Sequence, residues 1–360
     1  MTQTATSPII RAYASQELGS TPAPWSYEPR QLRSDDVSIE ILYCGVCHSD
    51  IHMVENDWGM TTYPVVPGHE IIGRITETGS NVGKFKQGDI VGVGCMVDSC
   101  RECSSCKRGL EQYCNEPVWT YNGTDRFDKK TTYGGYSERI LVDESYVVKI
   151  PDSLDPAAAA PILCAGITTY SPLRHVGVKP GDKVGVVGMG GLGHMGIKFA
   201  KAMGAEVTLF TRSENKIEEG KRNGADHCIV STDPSQMQQA AGSLNYILDT
   251  VPVEHDLNPY VACLDVDGVH ILVGQLTPLN PPIQASNLIM GRRSILGSVI
   301  GGIAETQEVL NFCAENEINC DIEMLDIHNI GKAYERMKKS DVRYRFVIDI
   351  ATLKESSERF

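Results

Sequence analysis

The chain has 360 residues, of which 41% are hydrophobic and 22% are charged, as in a globular protein large enough for two domains. Its formal net charge of −13 argues against nucleic acids and anionic membranes as partners, because both bind basic faces. The sequence shows neither a signal peptide nor an apolar stretch that could span a membrane. The twelve cysteines therefore indicate a reducing compartment, and we expect a cytoplasmic protein.

The order of predicted elements indicates an α/β protein with two domains. Residues 1–155 predict a β-rich domain, because short apolar strands alternate with glycine turns along it. Residues 156–300 predict six strands that alternate with helices, the pattern of a doubly wound parallel sheet. Residues 301–360 add helices and strands that such a sheet does not need, so we expect them to return to the first domain.

Four cysteines lie close together in the β-rich part: Cys100, Cys103, Cys106 and Cys114. Two-residue gaps let successive thiolates turn back onto one metal ion, and a short loop brings in the fourth. Four sulfur ligands form a closed tetrahedral zinc site, whereas a disulfide knot or free surface thiols rarely give this spacing. The cluster predicts a structural zinc in a lobe at residues 95–115 that takes no part in catalysis.

A glycine-rich turn opens the doubly wound part, with the sequence Gly188-Met-Gly190-Gly191-Leu192-Gly193. It follows an apolar strand and begins a helical segment, which is the context in which such a turn binds a dinucleotide. Gly188 would make the tight turn, Gly190 would let the backbone approach the pyrophosphate, and Gly193 would let the helix pack on the strand.

The end of the next strand distinguishes NADP from NAD. Enzymes that use NAD carry an acidic residue there, which accepts a hydrogen bond from the ribose 2′-hydroxyl. This chain has Thr211, Arg212 and Ser213 instead, followed by Lys216, and these groups suit a 2′-phosphate. The alternative is that Glu214 serves NAD and the basic residues are solvated surface charges. Glu214 lies too far along the chain, so the sequence favours NADP(H).

Further candidate metal ligands are scattered along the chain: Cys47, His69 with the adjacent Glu70, and Cys164. Two thiolates and one imidazole form the three-ligand set of a catalytic zinc with an open fourth position. Glu70 could occupy that position in the absence of substrate and water. Spacing alone does not establish the site, because a lone buried cysteine is usually a packing residue.

Several motifs together resemble the zinc-dependent medium-chain alcohol dehydrogenases, above all the cinnamyl alcohol dehydrogenases and related broad-range NADP-dependent aldehyde reductases. They are Cys47-His-Ser-Asp, Gly68-His-Glu, the four-cysteine lobe, Cys164-Ala-Gly-Ile-Thr-Thr-Tyr and the glycine turn, in this order along nearly the whole chain. The resemblance implies a GroES-like β-rich catalytic domain, a Rossmann cofactor domain and two zinc ions per chain. The other cysteines would be packing or surface thiols: Cys44, Cys95, Cys228, Cys263, Cys313 and Cys320.

The resemblance also assigns roles around the catalytic zinc, which Cys47, His69 and Cys164 would bind with Glu70 as an intermittent ligand. Ser49 would hydrogen-bond the substrate oxygen, and His52 would end a proton relay at the solvent. Asp50 would orient His69 through its free ring nitrogen.

Family resemblance further places residues around the nicotinamide and the substrate. Thr168 and Ser298 would face the nicotinamide. Trp58, Met60 and Trp119 lie in segments that line the substrate pocket in this family, although aromatic residues are as often core as pocket. Their presence favours apolar or aromatic aldehydes.

The predicted function is reversible hydride transfer between NADPH and an aldehyde, giving the primary alcohol. The small-molecule substrate would be the main partner, and the family implies a homodimer that pairs through the edge strand near residues 295–300. The main alternative is an NAD-dependent zinc polyol dehydrogenase, which would need an acidic residue after the second strand and a polar pocket. A second alternative is a non-catalytic protein that retains only the dehydrogenase fold. Such a protein would tolerate loss of the zinc ligands and the glycine turn, and the intact motifs argue against it.

Overall fold

The computed structural model describes residues 9–354, which form two compact units. One unit comprises the residues up to Cys164 together with those from Gly301 onward, and the other comprises Ala165–Ile300. The boundary predicted from the sequence lies after residue 155, so the predicted and observed divisions differ over residues 156–164. No helix in the described part of the chain is both long and apolar enough to cross a membrane.

The first unit is built mainly from strands. Its elements before residue 165 are β1 (Ile10–Ala14), β2 (Ala23–Tyr27), β3 (Asp36–Val46), α1 (His48–Val54), β4 (Ile71–Thr78), β5 (Ile90–Val93), β6 (Met96–Asp98), α2 (Ser104–Lys107), β7 (Val118–Trp119), β8 (Arg139–Asp143), β9 (Val148–Lys149) and α3 (Pro156–Ala159).

The second unit alternates strands with helices. Its elements are α4 (Ala165–His175), β10 (Lys183–Val187), α5 (Gly191–Ala202), β11 (Glu206–Thr211), α6 (Ile217–Arg222), β12 (His227–Val230), α7 (Pro234–Gln239), β13 (Leu244–Asp249), α8 (Asn258–Cys263), β14 (Leu264–Leu272), α9 (Ala285–Ile289) and β15 (Ser294–Gly297).

The last part of the described chain completes the first unit. It contributes α10 (Ile303–Glu315), β16 (Ile322–Asp326), α11 (Ile330–Lys338), β17 (Arg345–Asp349) and α12 (Ala351–Lys354).

The main sheet of the first unit has the strand order β16-β17-β3-β4-β5-β9, with β8 also paired to β3. The long strand β3 is central and largely buried, because its Val and Ile side chains pack into the core. The late strand β17 pairs antiparallel with β3 and sets Val347 opposite Gly45. This register brings the last strand of the described residues beside the segment that leads into Cys47.

The sheet of the second unit is fully parallel, in the order β12-β11-β10-β13-β14-β15. Strand β10 is buried after its first residue, as expected for a strand that helices cover on both faces. The chain runs outward from β10 in one direction and returns at β13 to run in the other. The carboxyl ends of β10 and β13 therefore flank the crevice in which doubly wound sheets bind their ligands.

Candidate active site

The four scattered ligand candidates meet in the first unit. Cys47 follows β3 and precedes α1, His69 and Glu70 directly precede β4, and Cys164 follows a 3-10 turn at the end of the α3 segment. One possible ligand atom from each lies within 4.8 Å of those of the others, and all four residues are buried. Folding thus assembles residues that are more than a hundred positions apart in the sequence.

The distances within this group fit a tetrahedral zinc ion. The Sγ atoms of Cys47 and Cys164 are 4.0 Å apart, and Nε2 of His69 lies 3.3 Å from Sγ of Cys164. Zinc bonds of about 2.3 Å to sulfur and about 2.0 Å to nitrogen place two sulfurs about 3.8 Å apart and sulfur and nitrogen about 3.5 Å apart. The soft thiolate and imidazole donors also suit zinc better than a hard cation.

Asp50 connects the ligand-bearing segments through its buried carboxylate. It accepts hydrogen bonds from the backbone N–H of Cys47 at 2.8 Å, the backbone N–H of Gly68 at 3.1 Å and the hydroxyl of Tyr136 at 3.3 Å. Its Oδ1 also lies 3.4 Å from Nδ1 of His69, whose other ring nitrogen faces Cys164. A carboxylate in this position fixes the orientation of a histidine ligand.

Arg345 is a buried charge beside the ligands that the sequence analysis missed. Its guanidinium lies 3.1 Å from Glu70 Oε1, although neither carboxylate oxygen of Glu70 has a well-aligned hydrogen-bond donor within residues 9–354. Burial raises the pKa of Glu70 to about 7, against the opposing effect of Arg345. Gly45 leaves room for the Glu70 carboxylate, because a Cβ at position 45 would collide with it. The sequence signal that could have revealed Arg345 is a charged residue directly before the apolar run of β17, where a charge is rarely buried without a partner.

The neighbours of Cys47 favour its thiolate form. Contact with Cys164, together with the positive charges of Arg345 and His69, lowers the pKa of Cys47 well below its usual range. Cys95 was predicted to be a packing or surface thiol, but it also lies at this site. Its thiol interacts with that of Cys164, and this interaction lowers the pKa of Cys95. Its proximity follows from tertiary structure, and no local motif indicated it.

The two residues expected to move protons, Ser49 and His52, both lie on α1. The hydroxyl of Ser49 is 3.7 Å from Sγ of Cys47, which sets it beside the ligand group. His52 has a half-exposed ring, and its Nδ1 lies 2.7 Å from Oδ2 of Asp57. Asp57 was not anticipated from the sequence. A carboxylate at Nδ1 leaves Nε2 of His52 as the nitrogen that can exchange a proton.

The predicted substrate residues lie in two neighbouring segments of the same unit. The Trp58 ring packs 5.4 Å from that of His52, and the Met60 side chain is exposed. Trp119 is partly exposed on β7. Asn122 joins the segments, since its side chain donates a hydrogen bond to the backbone of Met60 and accepts one from Thr62.

The four cysteines of the lobe also meet in the structure. Their Sγ atoms form a group within 4.8 Å, with separations of 3.8 Å for Cys100 and Cys106 and 3.5 Å for Cys103 and Cys106. Backbone N–H groups point at the sulfurs, from Cys100 to Cys114 at 3.4 Å and from Cys103 to Cys100 at 3.3 Å. Four thiolates at tetrahedral spacing fit a structural zinc with no open position.

The glycine turn has a conformation that suits a pyrophosphate. Gly188 has a φ of +93°, which glycine adopts without strain. A Cβ at Gly193 would collide with the backbone of Gly188, so this glycine allows α5 to start close to the turn. Gly190 caps α5 and has open space where a Cβ would be, which leaves room for a ligand at the helix N-terminus. Gly191 and Leu192 form the first turn of α5.

The predicted 2′-phosphate group follows β11. Thr211 is buried, and its hydroxyl accepts a hydrogen bond from the backbone N–H of Ser213 at 3.4 Å. The exposed Arg212 makes no ion pair within the described chain. Lys216 differs, because its ammonium lies 2.9 Å from the buried carboxylate of Glu219. The structure therefore leaves Arg212 as the more available cation.

The two residues expected to face the nicotinamide lie at separate places in the second unit. Thr168 is buried on α4, and Ser298 directly follows β15. The backbone N–H of Ser298 donates a hydrogen bond to the carbonyl oxygen of Leu272 at 3.0 Å, which continues the parallel ladder past the strand end.

Comparison with known proteins agrees with the fold and with a zinc-binding class of dehydrogenase. Residues 33–152 match the model of the alcohol dehydrogenase GroES-like domain, and residues 191–315 match that of zinc-binding dehydrogenases. The chain is 51% identical to a probable mannitol dehydrogenase of Fragaria ananassa, covering 95% of this chain and 96% of the relative. It is also 51% identical to NADP-dependent alcohol dehydrogenase C 1 of Mycolicibacterium smegmatis, covering 96% and 99%.

A solved structure gives the same result at the level of the whole fold. The cinnamyl alcohol dehydrogenase of Sorghum bicolor superposes with a TM-score of 0.92 at 44% identity, covering 96% of this chain and 98% of that one. The chain therefore belongs to the zinc-binding alcohol dehydrogenase family. The predicted class, a GroES-like β-rich domain with a Rossmann cofactor domain, is confirmed.

Proposed function

We propose that this protein reduces apolar or aromatic aldehydes to primary alcohols with NADPH and also catalyses the reverse reaction. The observation that carries the proposal is the convergence of Cys47, His69, Glu70 and Cys164 within 4.8 Å in a buried part of the chain. Two thiolates, an imidazole and a carboxylate that can give way to substrate form the donor set of a catalytic zinc site.

When bound, zinc supplies a Lewis acid for the substrate oxygen, and NADPH supplies the hydride. The protein's own groups prepare for this chemistry. Asp50 holds Cys47 and His69 in position through hydrogen bonds to both segments. Arg345 balances the negative charge of Glu70 and Cys47 in a buried environment. These contacts hold the ligands in place before substrate binds.

Proton transfer is assigned to Ser49 and His52. The Ser49 hydroxyl, beside Cys47, would donate its proton to the oxygen of the reduced substrate. His52 is half exposed and would take the replacement proton from solvent through Nε2, since Asp57 holds Nδ1. Asp57 thus acts through His52 as a positioning residue.

Trp58, Met60 and Trp119 support the assignment of apolar or aromatic aldehydes. All three offer partly exposed apolar surface in the unit that contains the zinc ligands. The relatives named as cinnamyl alcohol dehydrogenases are consistent with such substrates. Two relatives are named as probable mannitol dehydrogenases. In this chain, however, β11 ends at Thr211 and offers no acidic residue there to bind the ribose of NAD, as an NAD-dependent polyol dehydrogenase would need.

The test is NADPH oxidation by the zinc-loaded protein with aliphatic, aromatic and terpenoid aldehydes, alongside mannitol oxidation with NAD. We expect turnover with the apolar aldehydes and little with mannitol. Preferred use of mannitol and NAD would contradict the proposal. Two zinc ions per chain are expected by metal analysis, and a single zinc that is lost only on unfolding would leave no catalytic metal.

We also propose that Arg212 binds the 2′-phosphate of NADP(H). Because a charge-assisted hydrogen bond is lost and a repulsion added, R212D should weaken NADPH use by about 10- to 100-fold while changing NADH use much less. The Lys216→Met variant should have a smaller effect, since Lys216 is already paired with Glu219. Equal losses with the two cofactors would show that Arg212 does not bind the phosphate.

We further propose that the protein is a homodimer and is located in the cytoplasm. Strand β15 lies at the edge of the parallel sheet, and Met290 and Val299 near it expose apolar side chains. Unpaired edges of this kind can extend a sheet across a two-fold axis. Light scattering should give twice the mass of the chain, and cell fractionation should recover the protein in the soluble cytoplasmic fraction.

A further inference from the structure

The second unit contains a cluster of one carboxylate and two imidazoles. Asp249 ends β13 and is almost completely buried. Its Oδ2 lies 2.9 Å from Nε2 of His255 and 3.1 Å from Nε2 of His270, a fully buried residue of β14. None of these three residues belongs to a motif recognised in the sequence.

The hydrogen bonds of His255 define its protonation state. Its Nε2 faces the Asp249 carboxylate, and its Nδ1 lies 2.9 Å from the backbone carbonyl oxygen of Val253. Both neighbours can only accept hydrogen bonds, so both ring nitrogens must carry a proton. The geometry thus points to an imidazolium at His255. His270 differs, because its Nδ1 has no partner among the described residues and a neutral ring suffices.

The segment that His255 holds packs against the glycine turn. Thr250, the residue after Asp249, donates a hydrogen bond from its hydroxyl to the carbonyl oxygen of Val187 at 2.7 Å. A Cβ on Gly188 would lie 3.0 Å from that hydroxyl and 3.4 Å from the Val251 side chain. The loop after β13 and the turn after β10 therefore contact each other at the crevice where doubly wound sheets bind dinucleotides.

We propose that the charged side chain of His255 is a positioning residue for the cofactor, because it ties the loop at residues 250–257 to Asp249 and so fixes one wall of the NADP(H) site. The proposal rests on the proposed function in taking NADP(H) as the ligand of the crevice. A neutral His255 has a single N–H group and can satisfy only one of its two acceptors. Loss of the proton would release either Asp249 or the loop carbonyl.

The groups that face His255 determine the direction of its pH dependence. They are Asp249 on β13, His270 on β14, Tyr260 on α8, and Asp256 in its own segment. The hydrogen bond to Asp249, opposed by partial burial, raises the pKa of His255 above its ordinary value of 6.5. Because the pKa is raised, both hydrogen bonds of His255 are present at low pH. One of them is lost as the pH rises through the raised pKa.

The experiment is a fluorescence titration of the full, zinc-loaded protein with NADPH from about pH 6 to about pH 9, the range in which histidine titrates. We expect the wild-type dissociation constant for NADPH to rise by about tenfold over this range, because the loss of one charge-assisted hydrogen bond changes a binding constant by about that factor. H255Q should bind about tenfold more weakly at low pH and approach the wild-type value at high pH. The matched control is H227Q, since His227 is an exposed histidine paired with Glu206 in the same unit.

Parallel pH profiles for the wild type and H255Q would overturn the inference. If H255Q does not fold, nitrogen NMR of the wild-type imidazoles still decides, because a singly protonated His255 below pH 6.5 would contradict it. A wild-type protein that binds no NADPH at any pH would instead contradict the proposed NADP function. The NMR signature of His255 would remain informative in that case.

Discussion

The two metal-ligand groups of this chain differ in how they are assembled. The lobe takes its ligands from Cys100 to Cys114, and three of those four residues are partly exposed. The buried group takes its ligands from Cys47 to Cys164. The lobe is therefore a product of local sequence, whereas the buried group depends on the complete sheet of the first unit.

The means of stabilising the sulfurs differ in the same way. In the lobe, backbone N–H groups of Cys103 and Glu102 lower the pKa of Cys100 to about 6. In the buried group, contact with Cys164 and the positive charges of Arg345 and His69 lower the pKa of Cys47. The Asp50 carboxylate acts on the backbone instead, because it accepts a hydrogen bond from the N–H of Cys47. Backbone N–H donors come with any sequence that makes the turn, whereas charged side chains must be present at particular positions, which makes the buried group more sensitive to substitution.

The largest expected effect separates the two groups by reciprocal ligand removal. C47S should lower turnover at least about a thousandfold, because several kcal/mol of charge stabilisation is lost. It should lose one zinc while the lobe keeps the other. C103S should instead lose the lobe zinc and lower the unfolding temperature by about 5–10 °C, since structural zinc contributes folding free energy. Metal analysis and thermal unfolding of both variants check the pair.

Loss of both zinc ions in either variant would show that the groups are coupled and would break the comparison. Retention of two zinc ions in C47S would remove Cys47 from the ligand set.

A smaller effect tests the side-chain support of the buried group. D50N keeps the size of Asp50 but removes the charge that faces Cys47, Gly68 and His69. Zinc affinity at the buried group should fall by about 10- to 100-fold, while the lobe is unaffected. Competition with a chelator measures both sites. D57N is the control, since Asp57 contacts His52 and should leave both zinc affinities unchanged; an equal loss in the two variants would contradict the role of Asp50.

The smallest effect tests the side-chain support of the lobe. Ser99 is buried, and its hydroxyl lies 3.1 Å from Sγ of Cys106 and 2.6 Å from the hydroxyl of Tyr146. S99A should lower the free energy of unfolding by about 1–2 kcal/mol, because it leaves the Tyr146 hydroxyl without this partner. Both zinc ions should remain. Denaturant unfolding measures the loss against S80A, an exposed serine, and loss of the lobe zinc in S99A would show that the lobe also depends on side chains.

The sequence by itself determined the features that depend on short-range spacing. The four-cysteine lobe, the glycine turn and the alternation of strands and helices are encoded within a few residues, because ligand geometry and hydrophobic period act locally. The family assignment followed from the order of such motifs, and the comparisons confirm it. The individual ligand and cofactor residues stay predictions that the variants above test.

Only the tertiary structure decided which distant residues meet. Pairing of β17 with β3 brings Arg345 to Glu70, and packing of the Cys164 segment brings its sulfur to Cys47 and His69. The structure also pairs Lys216 with Glu219, which leaves Arg212 as the freer cation near the predicted 2′-phosphate site. The physical reason is common to these cases. Contacts between segments far apart in sequence depend on strand register and on the packing of the whole core, which no local pattern specifies.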